Sequence, residues 1–349
     1  MSFDYLPPEL PGKITGWYNQ VKKPLPWRVD PTPYHVWLSE IMLQQTRIEA
    51  VIPYYFRFLE SFPDPVSLAM AEEDAVLKLW EGLGYYSRAR NLRKAAGILV
   101  EQYGGELPAD VGLLKKLPGI GDYTAGAIAS IACGLPEPAV DGNVLRVLTR
   151  LCACADDIAL PQTKKSAADA LRLLYPSGKS AGDFTEGLME LGERVCIPNG
   201  EAKCGECPLR EFCAAHRLGT EGGYPVKAEK KPRRIEDRTV LLLRDEEGKL
   251  AIRQRTEAGL LAGMWEYPNF DGALTEAEVR EKLAGMGIVV NSVQRLSPTR
   301  HIFTHVEWRM AWYEVRCSSG FGGGGYIAVD EAELREKYAL PTAFRRKKG

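Results

Sequence analysis

Residues 117–134 read LPGIG, from Leu117 to Gly121, and then DYTAGAIASIACG. Gly119 and Gly121, two residues apart, permit a tight turn that exposes backbone N–H groups at the start of a helix. Such a turn can bind an anion, for example a phosphate group. The motif alone is about equally typical of an ordinary corner between two helices. The stretch therefore predicts a helical hairpin, with phosphate binding as one of two interpretations.

The segment upstream of this hairpin, Gly84–Lys94 (GYYSRARNLRK), places two tyrosines before four basic residues with no acid among them. Aromatic rings beside cations suit stacking on bases and pairing with phosphates. A solvated basic helix face explains the segment equally well.

The chain as a whole predicts two domains, as 349 residues lead us to expect. Helical apolar spacing recurs over residues 1–216, and residues 217–237 read as a linker rich in Gly, Pro and charge. Beyond it, two strands around a turn at Asp245–Gly248, alternation over His301–Val315 and a helix at Ala273–Gly287 indicate an α+β domain over 238–349.

Composition excludes several classes of protein. The formal net charge is -1, so the chain is not a globally basic nucleic-acid binder, although local basic patches remain open. No apolar run approaches the length of a membrane span, and the N-terminus lacks the pattern of a secretory signal. We expect reduced thiols, a monomer with no membrane association, and a cytoplasmic, nucleoid-associated location if the source is prokaryotic.

Four of the eight cysteines lie within 18 residues, with the spacing C-x7-C-x2-C-x5-C. A loop of this kind can surround one metal centre with four thiolates, and the candidates are Zn²⁺ and a [4Fe–4S] cluster. The predicted ligands are Cys196, Cys204, Cys207 and Cys213, and the alternative is that these cysteines are free structural thiols.

Two carboxyl groups are candidates for acid–base chemistry. Glu40 shares a helical stripe with Trp37, Ile41 and Ile48 in a helix predicted over 36–50, and burial on an apolar face should raise its pKa. Asp141 precedes an apolar helix, whose N-terminus should favour the anion. Alternatively, Glu40 is part of a buried ion pair and Asp141 is a plain helix cap. Two carboxyl groups shifted in opposite directions are typical of glycosidic cleavage.

Taken together, these segments resemble the helix-hairpin-helix DNA glycosylases, and within them the A/G-specific adenine DNA glycosylase (MutY) family. The resemblance extends in order over nearly the whole chain. It is carried by the hairpin, the cysteine loop and the stretches PLPWR, WLSEIMLQQTR, EGLGYYSRARNL, VDGNVLRVLTR, FTEGLMELGERVC and LPTAF.

The resemblance implies an all-α glycosylase with an iron–sulfur loop, followed by a Nudix-like α+β domain. The six-helix barrel would cover roughly 31–136, and the cluster part roughly 1–30 with 137–216. The implied activity is removal of adenine paired with 8-oxoguanine or guanine in double-stranded DNA, with the base flipped into a pocket. The cysteines would hold [4Fe–4S] rather than zinc.

The resemblance also implies a role for each site residue. Glu40 would protonate adenine N7, and Asp141 would stabilise or trap the sugar cation. The hairpin glycines, Gly119 and Gly121, would contact DNA phosphate. The other implied residues are supports of the acid pair (Tyr123, Asn143), pocket residues (Trp27, Arg28, Glu186), residues entering the base stack (Gln45, Tyr85) and a loop touching 8-oxoguanine (Phe303, Thr304, His305).

Tyr123 occupies the position of the lysine with which bifunctional relatives form a Schiff base, so a monofunctional enzyme is expected. The alternatives are an endonuclease III-like enzyme acting on oxidised pyrimidines and a non-catalytic lesion-binding protein. Nucleotide pyrophosphate hydrolysis is disfavoured because the helix EVREKLAGMG lacks the paired glutamates of a Mg²⁺ site.

Overall fold

The computed structural model describes residues 3, 6–228, 232–256, 259–318, 320–321 and 324–346. The chain forms two compact units, Met1–Ala69 with Lys94–Glu229 and Met70–Arg93 with Lys230–Gly349. We call them the helical unit and the sheet unit. The sheet unit also includes Met70–Arg93, a segment that was predicted to belong to the helical domain. The predicted domain boundaries at residues 216 and 238 stay a prediction.

The helices and strands follow in the order expected for a helical region before an α+β region. The α-helices are α1 (Leu10–Val21), α2 (Pro26–Val29), α3 (Pro33–Leu43), α4 (Ile48–Ser61), α5 (Pro65–Met70), α6 (Glu73–Leu79), α7 (Ser87–Tyr103), α8 (Val111–Leu114), α9 (Asp122–Ala127), α10 (Gly142–Cys152), α11 (Pro161–Arg172), α12 (Lys179–Arg194), α13 (Ala214–Leu218), α14 (Glu276–Gly285) and α15 (Glu331–Glu336). The strands are β1 (Arg234–Arg244), β2 (Leu250–Gln254), β3 (Trp265–Glu266), β4 (Asn269–Asp271), β5 (Val290–Ile302), β6 (Val306–Cys317) and β7 (Ile327–Val329).

One apolar core of the helical unit forms where α1, α10 and α12 meet. Leu10, Val144, Leu148 and Phe184 are fully buried there. The apolar residues of α10 recur at helical spacing, so one face of the helix packs inward. This packing fixes α10, and therefore the carboxyl group of Asp141 at its N-cap.

The helix predicted over 36–50 is two helices. α3 ends at Leu43, α4 begins at Ile48, and Gln45 between them has a left-handed backbone with φ of 58°. Ile48 therefore does not share a helical stripe with Trp37, and its apparent spacing crosses the break. Glu40 nevertheless lies in α3 and is buried.

The sheet has the strand order β3-β2-β1-β6-β5, with β4 paired to β1 and β7 paired to β2. β1 and β6 run parallel, and the other pairs are antiparallel. Successive residues of β6 point to opposite faces, as the two-residue period of a strand requires. Trp308 and Trp312 belong to one apolar core, while Tyr313 and Val315 belong to another with α14.

The segment His301–Val315, predicted from its alternation as one strand element, contains a hairpin turn. β5 ends at Ile302, β6 begins at Val306, and the Phe303 N–H donates to the Val306 carbonyl at 2.8 Å. The alternation runs through the turn without Gly, Pro or Asn to mark it. The turn carries Phe303, Thr304 and His305 at its tip.

The predicted linker 217–237 is shorter in the structure, because β1 already begins at Arg234. Residues 229–231 of that segment lie outside the described residues. Within the described part of the chain, no helix has the length and apolar character that crossing a bilayer requires.

Candidate active site

A cavity of about 1170 Å³ opens in the helical unit between α2, α3, α9, α10 and α12. It brings together all four predicted catalytic residues and four of the predicted base-contacting residues. Its lining includes Trp27, Arg28, Glu40, Gln45, Tyr123, Asp141, Asn143 and Glu186. Residues far apart in the sequence thus share one chamber.

Glu40 is buried in the wall of this cavity, with 7% of its surface exposed. The Tyr123 hydroxyl donates to Glu40 Oε2 at 2.5 Å. Burial raises the pKa of Glu40 from its ordinary 4.5 to about 7, against the hydrogen bond from Tyr123, which lowers it. The negative charge of Asp141 contributes to the same rise. Glu40 therefore retains a proton near neutral pH.

Asp141 caps the N-terminus of α10. Its Oδ1 accepts the Val144 N–H at 2.7 Å, and its Oδ2 accepts the Asn143 side-chain amide at 2.9 Å. Burial raises the pKa of Asp141, while these donors and the charge of Arg146 lower it. The expectation that the two carboxyl groups shift in opposite directions is therefore wrong, because burial outweighs the helix N-terminus at Asp141. What distinguishes the two acids is the number of hydrogen bonds they accept: Asp141 accepts from Val144 and Asn143, and Glu40 accepts from Tyr123.

Arg146, which was not among the predicted site residues, orients Asn143. Its Nη2 donates to Asn143 Oδ1 at 2.8 Å and to the Gly192 carbonyl at 2.6 Å, and its Nε donates to the Cys196 carbonyl at 2.7 Å. Because the oxygen of Asn143 is occupied by Arg146, its amide nitrogen faces Asp141. A side chain at Gly192 would place Cβ 2.6 Å from that of Asn143, so a glycine is required there. An arginine among the buried positions of α10 is the signal that could have revealed this contact.

A second polar cluster lies in the same cavity around Arg28. Its Nε donates to Glu186 Oε1 at 3.1 Å, and its Nη2 donates to Glu190 Oε2 at 2.9 Å. The Arg28 Nη1 atom is buried and has no hydrogen-bond partner within the described residues. Glu186 also accepts from the Tyr18 hydroxyl at 2.7 Å. Tyr18 and Glu190 were not predicted: Tyr18 lies outside the quoted motifs, and Glu190 lies within FTEGLMELGERVC but was given no role there.

The backbone of residues 117–122 forms the predicted hairpin turn. Gly119 has a left-handed backbone with φ of 80°, and the Ile120 N–H donates to the Leu117 carbonyl at 3.2 Å. Gly121 is extended and caps α9. Asp122, in the first turn of α9, forms an ion pair with Lys115. Phosphate binding at Gly119 and Gly121 stays a prediction.

The four clustered cysteines lie in one loop region. Burial raises the pKa of Cys207 to about 12, and the charges of the other three cysteines raise it too. Arg150 Nη1 donates to Cys196 Sγ at 3.3 Å. Among the described residues, the one set of three candidate metal ligands whose atoms lie within 4.8 Å of one another is Cys204, His216 and Glu221. No three of the four sulfurs therefore approach within that distance.

The sheet unit brings together the remaining predicted residues. Tyr85 has a left-handed backbone with φ of 48°, and its hydroxyl lies 3.1 Å from Thr304 Oγ1. Tyr85, Phe303, Thr304 and His305 line a cavity of about 720 Å³. The tyrosine of the basic segment and the tip of the β5–β6 hairpin thus belong to one surface.

Comparison with known proteins identifies the family. Residues 38–176 match the family of HhH-GPD superfamily base excision DNA repair proteins, and residues 239–347 match the NUDIX domain. The rat adenine DNA glycosylase is 33% identical over 84% of this chain and 68% of its own length. A Buchnera aphidicola adenine DNA glycosylase (Schizaphis graminum strain) is 35% identical over 77% of each chain.

The chain belongs to the adenine DNA glycosylase family.

Solved structures agree with this family in the fold of the helical region. A thermostable thymine-DNA glycosylase is 26% identical, with a TM-score of 0.53 over 60% of this chain and 95% of its own. Endonuclease III in a non-covalent DNA complex has a TM-score of 0.52 at 24% identity, over 62% of this chain and 99% of its own. The helix-hairpin-helix fold followed by a Nudix-like domain is therefore confirmed.

Ionised Glu40 should destabilise the folded protein, because its pKa is higher in the folded state than its ordinary 4.5. The penalty is absent below that pH and complete above pH 7, where it reaches up to about 3 kcal/mol. We expect Glu40→Gln to raise the free energy of unfolding at pH 8 and to change it little at pH 4.5. Denaturant unfolding followed by circular dichroism measures both, with exposed Glu60→Gln as the control. An equal effect at the two pH values would contradict the buried, protonated acid.

Proposed function

We propose that this protein is a monofunctional adenine DNA glycosylase that hydrolyses the N-glycosidic bond of adenine opposite 8-oxoguanine or guanine. The observation that carries the proposal is the buried Glu40, with a pKa of about 7, in the same cavity as the hydrogen-bonded Asp141. An acid that is still protonated beside a carboxylate held by donors is the pair that glycosidic cleavage needs.

Glu40 acts first in this mechanism. A flipped adenine enters the cavity, and Glu40 donates its proton to N7, so the base leaves as a neutral group. The Tyr123 hydroxyl stabilises the Glu40 carboxylate that forms, because it already donates to Oε2. A pKa near 7 makes Glu40 both protonated in part of the population and able to give up the proton.

Asp141 acts on the sugar. As the bond to the base breaks, positive charge develops on the ring, and an anion beside it stabilises that charge. The Val144 N–H and the Asn143 amide lower the pKa of Asp141 against its burial and fix the orientation of the carboxyl group. Water then attacks the sugar and gives a proton to the Glu40 carboxylate formed in the first step, which restores the acid and leaves an intact abasic strand. Tyr123 stands at the position of the relatives' lysine and cannot form a Schiff base with the sugar.

Arg28 and Glu186 supply groups that can recognise the base. Glu186 is an acceptor for the exocyclic amino group of adenine, and Arg28 retains a buried donor at Nη1. A purine edge carrying one donor and one acceptor matches this pair. Trp27 lines the same cavity and is nearly buried.

The cysteine loop fits a [4Fe–4S] cluster better than one zinc ion. A tetrahedral zinc with bonds of about 2.3 Å would bring the sulfurs to about 3.8 Å from one another. Since no three of these sulfurs lie within 4.8 Å, the spacing favours a larger centre. The cluster would be held by Cys196, Cys204, Cys207 and Cys213. Its contribution would be structural, because Arg146 hydrogen-bonds the backbone carbonyl of Cys196.

Double-stranded DNA containing an A:8-oxoguanine or A:G pair is the proposed substrate. Gln45 and Tyr85, both with left-handed backbones, would enter the base stack. The surface formed by Tyr85 and the tip of the hairpin would distinguish 8-oxoguanine from guanine, with Thr304 offering a hydroxyl and Phe303 an aromatic face. An endonuclease III-like specificity and a purely lesion-binding role are the outcomes that the next experiment would detect.

Single-turnover release of adenine from an A:8-oxoguanine duplex tests the activity. We expect release without strand cleavage, a loss of about 100-fold or more in Glu40→Gln, and no loss in exposed Glu60→Gln. Borohydride added during turnover should trap no covalent adduct. A wild-type rate in Glu40→Gln would refute the acid assignment, an abundant adduct would refute monofunctionality, and binding without release would favour a lesion-binding protein.

Metal analysis tests the cluster. The purified protein should contain about four iron and four sulfide ions per chain, with a broad visible absorption band. Cys204→Ser should lower the iron content, whereas Cys317→Ser, a buried cysteine of the sheet unit, should not. One zinc ion per chain and no sulfide would contradict the assignment.

Lesion preference tests the hairpin tip. Phe303→Ala combined with His305→Ala should reduce the ratio of rates on A:8-oxoguanine and A:G by about tenfold, because the stacking and polar contacts to the lesion are lost. Lys337→Ala, at the exposed residue that caps the C-terminus of α15, serves as the control. An unchanged ratio in the double variant would show that the tip does not read the lesion.

A further inference from the structure

Tyr18 is a fully buried residue of α1 that no motif singled out. It reaches the active-site helix α12 because residue 187 is a glycine. A Cβ at Gly187 would lie 2.7 Å from Ile14 Cγ2 and 3.1 Å from Tyr18 Cβ, closer than side chains normally pack. The absence of a side chain at Gly187 therefore lets α1 approach α12 at the level of Glu186.

The Tyr18 hydroxyl and the Arg28 guanidinium each donate a hydrogen bond to a different carboxylate oxygen of Glu186. Tyr18 donates to Oε2 at 2.7 Å, and Arg28 Nε donates to Oε1 at 3.1 Å. The Arg28 Cζ atom also lies 5.5 Å from the centroid of the Tyr18 ring, within the range of a cation–π contact. Tyr18 thus contacts both members of the pair that faces the base.

Glu190 completes the arrangement from the next turn of α12. It accepts from Arg28 Nη2 at 2.9 Å and from Arg194 Nη1 at 3.3 Å. Arg28 is therefore held by two carboxylates, Glu186 and Glu190. Glu186 in turn has two donors, Arg28 and Tyr18.

We propose that Tyr18 is a positioning residue for base recognition, which holds Glu186 in one orientation so that it can accept a hydrogen bond from the amino group of the flipped base. This inference rests on the proposed function, and it assigns a role outside the motifs that define the site.

The physical reason is that one donor does not fix a carboxylate. With Arg28 alone, the carboxylate of Glu186 could rotate about its Cγ–Cδ bond and would leave Oε2 desolvated without a partner. A buried acceptor without a donor is costly, and a bond to an ionised group is worth more than one between neutral groups. Donors from two different helices, α1 and α2, hold both oxygens at once.

The same contact has a consequence for pH. Burial raises the pKa of Glu186, and both Arg28 and the hydrogen bond from Tyr18 lower it. Without the Tyr18 hydroxyl the pKa of Glu186 rises further, so Glu186 becomes protonated, and ceases to be an acceptor, at a higher pH. The charged and titratable groups that face it are Tyr18 on α1, Arg28 on α2, Glu40 on α3, and Asp183 and Glu190 on α12.

The test compares Tyr18→Phe with Tyr55→Phe by single-turnover adenine release at saturating enzyme between pH 5 and pH 9. Both changes remove one hydroxyl from a buried ring, but the Tyr55 hydroxyl has no hydrogen-bond partner within the described residues. Each change is also made in Glu186→Gln, which gives a double-mutant cycle. Thermal unfolding checks that every variant is folded, and Gly187→Ala, which separates α1 from α12 while keeping the hydroxyl, is the second way to break the contact.

We expect Tyr18→Phe to slow release about tenfold at neutral pH and to move the acidic limb of the profile to higher pH. In the Glu186→Gln background it should change the rate less than about twofold. Tyr55→Phe should match the wild type, and Gly187→Ala should resemble Tyr18→Phe.

Equal effects of Tyr18→Phe in both backgrounds, or an unshifted profile, would overturn the role of Tyr18 while leaving the proposed function intact. A wild-type protein that binds the duplex but releases no adenine would overturn the proposed function and, with it, the base-facing role of Glu186.

Discussion

The structure of the active site depends on one constraint, the burial of Glu40 against a hydroxyl instead of a cation. A salt bridge would lower the pKa of this carboxyl group and remove its proton. The Tyr123 hydroxyl at 2.5 Å satisfies one oxygen without neutralising a charge, so burial still dominates. Protonation near neutral pH, and the stability lost on ionisation, have this single cause.

The second acid shows how the same burial can serve the opposite role. Asp141 is also in a desolvated place, but the N-terminus of α10 and the amide of Asn143 donate to it. Arg146 fixes Asn143 and also binds the carbonyls of Gly192 and Cys196. The anion is therefore connected through α10 to the end of α12 and to the start of the cysteine loop. A change in that loop should therefore alter the position of the Asp141 carboxylate as well as the stability of the fold.

The sequence allowed much of the site to be predicted, because the decisive residues lie in short motifs. Glu40, Tyr123, Asp141 and Asn143 do meet in one cavity, and the helical and α+β regions follow in the expected order. The spacing of apolar residues gave wrong element boundaries where it continued across a break in the helix or strand, as at Gln45 and at Phe303. Tyr18 could not be predicted, since its contact joins residues 168 positions apart, and local periodicity carries no such information. The direction of the pKa shift at Asp141 depends on burial that only the packed helices create.

The most direct test of the central claim is the protonation state of Glu40 in the resting protein. Infrared spectroscopy of glutamate-labelled protein, titrated from pH 5 to pH 9 and compared with Glu40→Gln, resolves the carbonyl band of a protonated carboxyl group. We expect a band assigned to Glu40 that disappears around pH 7, in line with the pKa of about 7. A Glu40 carboxylate that is already ionised at the lowest pH, titrating near its ordinary value, would contradict it.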